Sequence, residues 1–266
     1  MRVNNDGAHI DVRIDGSAGS PVVLLAGFPL TREIWNATAR GLAAAHRVVM
    51  PDLRGTGASN VPPGPYLMET LAGDVAAVLD ALGIERATLV GHSLGGYVAL
   101  AFARMYAERV ASLALVCSRL AADTSERAMW RNDLAERAER DGSVQAIIDA
   151  MVPLLLAERT HEQHPEIERL VREIAATNDV RGLCGLLRGM ALRDPADDIA
   201  PDLEMPVLVA AGGADPLISL EESREIAMRF PQGTLEIFPA SGHLPMLEEP
   251  DRLTELLGAF AAGASE

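Results

Sequence analysis

The chain has 266 residues, 48% of them hydrophobic, and a formal charge of −15; it is long enough to bury a sizeable core in one large domain. The negative balance speaks against nucleic acid or anionic membrane as a partner. All 23 cationic side chains are arginine, so Schiff-base chemistry, pyridoxal catalysis and lysine-dependent phosphate loops are excluded. The two cysteines, Cys117 and Cys184, form neither a disulfide framework nor a metal cluster and read as free thiols of a cytoplasmic protein. The N-terminus has no apolar segment followed by a small-residue cleavage site, which also points to the cytoplasm.

The first element in chain order is "HIDVRID" from His9, whose polar–apolar alternation predicts a half-exposed strand. "PVVLLAG" from Pro21 is a continuous apolar run, too short to cross a bilayer, and predicts a strand buried on both faces. A helix follows over Thr31 to Ala45, just before His46, and then the strand "RVVMPD". The Gly55-Thr56-Gly57 turn in "PDLRGTGAS" precedes no helix start with a basic partner. It therefore reads as a structural turn at the floor of a pocket and not as a phosphate cradle. Helices over Met68–Leu82 and Ser93–Met105 flank the strand "ATLVGH", and "VASLALVCS" is the next strand.

From about Arg119 to Pro195 the rhythm breaks: no strand is predicted, only charged, helix-favouring sequence. The strand "PVLVAAG", the helix Leu220–Arg229, the strand "TLEIFPA" and the helix Pro250–Ala262 restore it. The alternation predicts an α/β fold, a mainly parallel twisted sheet with helices on both faces. Residues 1–118 and 196–266 form the sheet domain, and 119–195 an inserted helical cap.

Gly91-His92-Ser93-Leu94-Gly95 fits G-x-S-x-G between a buried strand and a helix, the setting of a nucleophile elbow. An ordinary helix N-cap would also accept a serine, but it would not require a glycine on each side. A serine hydroxyl needs a base, and six histidines are available. His9 lies in the first strand, His46 follows a helix, His161 and His164 lie in the charged cap, and the elbow turns His92 away from its neighbour. His243, on the Ser-Gly loop after the last strand, remains. The acid that orients it is Asp215, which follows a buried strand and two glycines at the edge where such sheets bind ligands. Asp194, Asp197 and Asp198 precede that strand and would enter from the wrong edge. The oxyanion of an acyl-transfer intermediate needs two backbone donors, assigned to the N–H groups of Leu94 and of Phe28, since Pro29 has none.

"GFPLTREIW", "PDLRGTGAS", "GHSLGGYVAL", "GGADPLIS" and "ASGHLPMLEEP" together resemble the successive signature segments of the α/β-hydrolase superfamily, in that family's order and over nearly the full chain. The resemblance implies Ser93 as nucleophile, His243 as base, Asp215 as acid and Phe28 and Leu94 as oxyanion donors. The interval after Val116 is similar to caps of the 3-oxoadipate enol-lactonase-like and small-ester carboxylesterase branch. One position departs from the family pattern: Ala26 stands where a histidine usually precedes the oxyanion glycine.

Gly27, His92, Arg119, Leu217 and Leu244 are further residues expected around the substrate pocket. For Arg119 a solvated surface side chain is the expectation, with carboxylate pairing in the pocket as the alternative; Cys117 reads as a buried structural thiol. The function expected is hydrolysis of small neutral carboxylic esters through an acyl-enzyme, without metal or cofactor. Lactone opening is the second reading, and small-molecule binding on a hydrolase scaffold the third. The expected partner is a small ester or lactone, with a homo-oligomer open.

Overall fold

The computed structural model describes residues 1–263. Its first strand, β1 (Arg2–Asn5), is missed by periodicity because only Val3 in it is buried. It pairs antiparallel with β2 (Ala8–Asp15), the predicted alternating strand. Next come β3 (Pro21–Leu25), α1 (Asn36–Leu42), β4 (Arg47–Pro51), α2 (Met68–Ala81), β5 (Ala87–His92), α3 (Leu94–Met105) and β6 (Val110–Val116). The helix predicted over Thr31–Ala45 is shorter than expected. A 3₁₀ turn over Arg32–Trp35, capped by the Thr31 hydroxyl, leads into α1, which ends at Leu42.

Five helices follow with no strand among them: α4 (Ser125–Asp141), α5 (Gln145–Met151), α6 (Glu158–Gln163), α7 (Pro165–Ala176) and α8 (Val180–Ala191). The chain then returns to the sheet with β7 (Val207–Gly212), α9 (Leu220–Arg229) and β8 (Gly233–Phe238), and ends with α10 (Pro245–Glu248) and α11 (Pro250–Gly263). The four-residue α10 lies between the last predicted strand and the last predicted helix, where the sequence pattern predicts no element.

The strands form one sheet in the order β1-β2-β4-β3-β5-β6-β7-β8, parallel from β4 onward. Strands β5 and β7 are buried at every residue, which is why they read as unbroken apolar runs. Helix α1 packs on α11, and α2 on α3. Because β3, β5, β6, β7 and β8 point the same way, the loops leaving them meet at one edge, where an open sheet of this kind binds ligands. The helical interval α4–α8 leaves β6 and returns to its neighbour β7 at the sheet.

The Gly55-Thr56-Gly57 turn does not form a pocket floor. It is pressed against α8, where a side chain on Gly55 would come within 3.0 Å of the Gly182 Cα. The Gly57 N–H donates to Asn178 Oδ1 at 2.9 Å, while Asn178 Nδ2 donates to the Pro29 carbonyl at 3.0 Å. The turn is thus a tether between the helical interval and the loop after β3. Nearby, Arg54 and Asp74 form a buried two-pronged ion pair at 2.6 Å, a fork geometry that satisfies both groups where water cannot.

Candidate active site

Ser93 stands between β5 and α3 with φ 50° and ψ −113°, a conformation that a side chain rarely tolerates. The flanking glycines follow from that turn. A Cβ on Gly95 would lie 2.3 Å from the Leu25 carbonyl oxygen, and one on Gly91 2.4 Å from the Gly95 oxygen. The backbone is pinned by the Ser93 N–H donating to Val116 O at 2.9 Å and by the Ser118 hydroxyl donating to Ser93 O at 2.9 Å. The Ser93 side chain makes no capping bond to α3. The plain N-cap explanation therefore fails.

His243 and Asp215 arrive from the loops after β8 and β7. Asp215 Oδ2 accepts from His243 Nδ1 at 2.7 Å, and both side chains are only 1% exposed. Asp215 Oδ1 accepts from the Leu217 and Ile218 N–H groups at 2.8 and 3.2 Å. Burial pushes the Asp215 carboxyl upward, but the His243 ring and these amides outweigh it and hold the group below its ordinary value. The other imidazole nitrogen, Nε2, is buried and makes no hydrogen bond within the protein. His243 and Ser93 share the wall of a cavity of about 420 Å³.

Phe28 lines the same cavity. Leu94 is the first residue of α3, so its N–H has no acceptor one turn earlier in the helix. Both amides are free of the ladder and helix bonds that occupy most of the backbone nearby. Ala26 is buried at the end of β3.

Three of the expected pocket residues lie elsewhere. His92 is fully buried beneath the site, where its Nε2 bonds the His243 carbonyl at 2.9 Å. A carbonyl only accepts, so Nε2 carries the proton. Burial, reinforced by the neighbouring His243 ring, pushes the His92 pKa down to about 3, and the ring is neutral. Gly27 covers it: a Cβ there would sit 2.3 Å from His92 Nδ1. Leu244 is packed into the core with no exposed surface. These residues support the loops of the site from behind because the sheet edge turns them inward.

Leu217 and Arg119 do line the cavity. Arg119 is not the solvated side chain expected. It is 11% exposed, donates to the Leu217 carbonyl at 2.7 Å and pairs with Glu222 at 3.2 Å. The reason is topological: β6 and β7 are neighbours, so the residue just past β6 falls beside the loop carrying Asp215. Cys117 is buried under the Asp215–His243 pair, and desolvation together with the Asp215 charge pushes its thiol well above the ordinary range. It stays protonated and cannot act as a nucleophile.

The rest of the wall was not legible as such. Tyr97 lies one helical turn beyond Ser93, a spacing that could have flagged it, and Ile218 follows Asp215 by three. Trp130, Met151 and Met190 come from α4, α5 and α8, and Leu154 from the 3₁₀ turn after α5. Nothing in their local sequence distinguishes them from other cap apolars.

Residues 22–256 match the model of the alpha/beta hydrolase family. The chain belongs to that family. A thermophilic esterase from Thermogutta terrifontis, solved with malate bound, superposes on this α/β hydrolase with a TM-score of 0.95 at 36% identity, covering 99% of this chain and 98% of that one. The enol-lactonase from Burkholderia xenovorans superposes at 0.90 with 27% identity, covering 98% and 99%. The curated 3-oxoadipate enol-lactonase 1 of Acinetobacter baylyi is 26% identical over 98% of this chain and 96% of its own. No helix among the described residues of this hydrolase is long and apolar enough to cross a membrane.

Proposed function

We propose that this α/β hydrolase cleaves small neutral carboxylic esters through an acyl-enzyme on Ser93. The observation that carries the reading is the His243 ring: one nitrogen is bonded to Asp215 and the other is unpartnered on the wall shared with Ser93. In this reading Nε2 takes the hydroxyl proton as Oγ attacks the ester carbonyl, and later returns it to the leaving alcohol. Asp215, kept ionised by its low pKa, holds the tautomer and stabilises the imidazolium. The Phe28 and Leu94 amides receive the oxyanion. Water then repeats the sequence on the acyl group and releases the acid. The esterase relative at 36% identity supports the same reaction class, and the two buried, unpaired cysteines support a cytoplasmic site of action.

The preference for neutral esters rests on how the cavity's cations are used. Arg119 is paired with Glu222, and Arg131 with Asp123. Arg127, in the first turn of α4 next to Glu126, is the remaining lining arginine. The enol-lactonase relatives favour a second reading, opening of a lactone, and Arg127 is where an anionic one would pair.

Labelling by a fluorophosphonate, lost in Ser93→Ala, tests the nucleophile, and a panel of acetyl and butyryl esters against lactones tests the substrate. Faster turnover of the neutral esters is expected. A preference for a carboxylate-bearing lactone that disappears selectively in Arg127→Ala would establish the second reading.

A further inference from the structure

The carboxylate of Glu248, in α10, has four donors. Its Oε1 accepts from the N–H groups of Gly242 and Leu244 at 2.9 and 3.2 Å, the residues on either side of His243. Its Oε2 accepts from the Ala157 N–H at 3.0 Å and the Thr160 hydroxyl at 2.6 Å, at the start of α6. The same two segments touch twice more. The His243 N–H donates to the Leu155 carbonyl at 3.0 Å, and a Cβ on Gly242 would lie 2.3 Å from the Ala157 nitrogen. The helical interval is therefore bonded directly to the loop that carries His243.

Four donors on two oxygens need a group that only accepts, and a carboxylate is that group. Glu249 ties the same loop at a different place, accepting from the Ser241 hydroxyl at 2.7 Å and the Ala240 N–H at 3.3 Å. What Glu248 adds is a fixed relation between α6 and the backbone on both sides of the imidazole. The Nε2 atom has no hydrogen-bond partner in the protein, so the ring's direction depends on that backbone, on Asp215 and on the His92 ring packed edge-on at 4.9 Å.

We propose that Glu248 is a positioning residue for His243, coupling the seating of the cap on the sheet domain to the orientation of the base; the proposal rests on the reading of His243 as the base. Rotating the loop by a fraction of an ångström moves Nε2 relative to the Ser93 hydroxyl, and proton transfer is sensitive to that distance. The cavity-lining residues Met151 and Leu154 lie only a few residues before Ala157 in the chain. Filling of the cavity and alignment of the base are thereby linked through one side chain.

Two variants test this on the full protein, with acetyl ester kinetics, thermal melting and the low-field proton line of the His243 Nδ1–H···Asp215 bond as readouts. Glu248→Gln keeps the shape but replaces one accepting oxygen with a donor. It is expected to lower kcat about tenfold or more with KM changed less than about threefold, and to shift or broaden the proton line. Thr160→Val removes only the cap-side hydroxyl. It is expected to lower kcat in the same direction by a smaller factor, with a melting temperature near that of the parent.

Unchanged kcat and an unmoved proton line in folded Glu248→Gln would overturn the proposal. If that variant does not fold, Thr160→Val decides alone: parent-like kcat and an unmoved line overturn the coupling, and a lowered kcat with a moved line sustains it. Should His243→Ala retain activity, the assignment of the base falls instead, and that outcome is distinct from both.

Discussion

Helices α3 and α4 both border the cavity and are built in opposite ways. Ten of the twelve residues of α3 are buried, whereas α4 buries four of seventeen, the stripe Arg131, Leu134, Ala135 and Ala138. The first leaves the strained Ser93 turn at the centre of the sheet; the second lies in the helical interval between β6 and β7 with its charged face in water. The sheet side places the three residues: each follows a parallel strand, and the Ser93 N–H is bonded to Val116 of the neighbouring strand β6. The cap contributes surface, through Trp130, Met151, Leu154 and Met190. The candidate catalytic residues thus sit on loops at the sheet edge and most of the cavity wall on the helical interval, with Glu248 joining the two.

If this division holds, the largest effects belong to the sheet side. Ser93→Ala and His243→Ala should each lower kcat by about 10⁴-fold or more, since such residues act as a unit, with melting temperatures near that of the parent. Retention of most activity in Ser93→Ala would remove the nucleophile from the elbow. Asp215→Asn should cost about 10²- to 10⁴-fold, because the amide imposes the wrong imidazole tautomer while the two backbone donors remain. A loss below about tenfold would place the acid elsewhere.

The same rigid side should show in the pH dependence of stability. The His92 pKa falls from 6.5 in the unfolded chain to about 3 in the fold. Between those values the unfolded chain binds a proton that the native one does not. The stability is therefore fully present above pH 6.5 and is lost as pH drops toward 3, by several kcal/mol at about 1.4 kcal/mol per pKa unit. Urea melts at a series of pH values should show this slope. His92→Gln, neutral throughout, should flatten it; an unchanged slope would assign the acid lability to other groups.

On the cap, effects should be smaller and should divide between substrates. Trp130→Ala, at a position 41% exposed, should raise KM for a butyryl ester by about threefold to tenfold and leave kcat for an acetyl ester within about twofold, as removal of uniform binding does. Equal loss of kcat on both esters would mean that the cap shapes the chemistry and not only the pocket. Ala26→His, at the buried departure from the family pattern, should change kcat/KM by less than about threefold, because the oxyanion donors are backbone groups whatever side chain precedes them. An inactive parent rescued by this change would identify Ala26 as the mark of a degenerate site.

The fold class and the meeting of Ser93, Asp215 and His243 at one sheet edge could be read from the chain itself. Strands buried on both faces must be continuous apolar runs, and a turn with no room for side chains must have glycine at Gly91 and Gly95. Both are local constraints, and local constraints leave a pattern. The strand β1 left none, since one buried residue has no period, and neither did α10. The positions of His92, Leu244 and Arg119 also escaped sequence reading, because whether a side chain faces the cavity or the core depends on which strands are neighbours. Arg119 shows this most directly: its partner Glu222 lies 103 residues away, and only the pairing of β6 with β7 brings them together. The carboxylate of Glu248 shows it too, since its donors come from residues 157, 160, 242 and 244. Local sterics and hydrophobic period are written residue by residue along the chain. Which side chains then share a cavity or a carboxylate is decided by long-range packing, and no short stretch of sequence contains it.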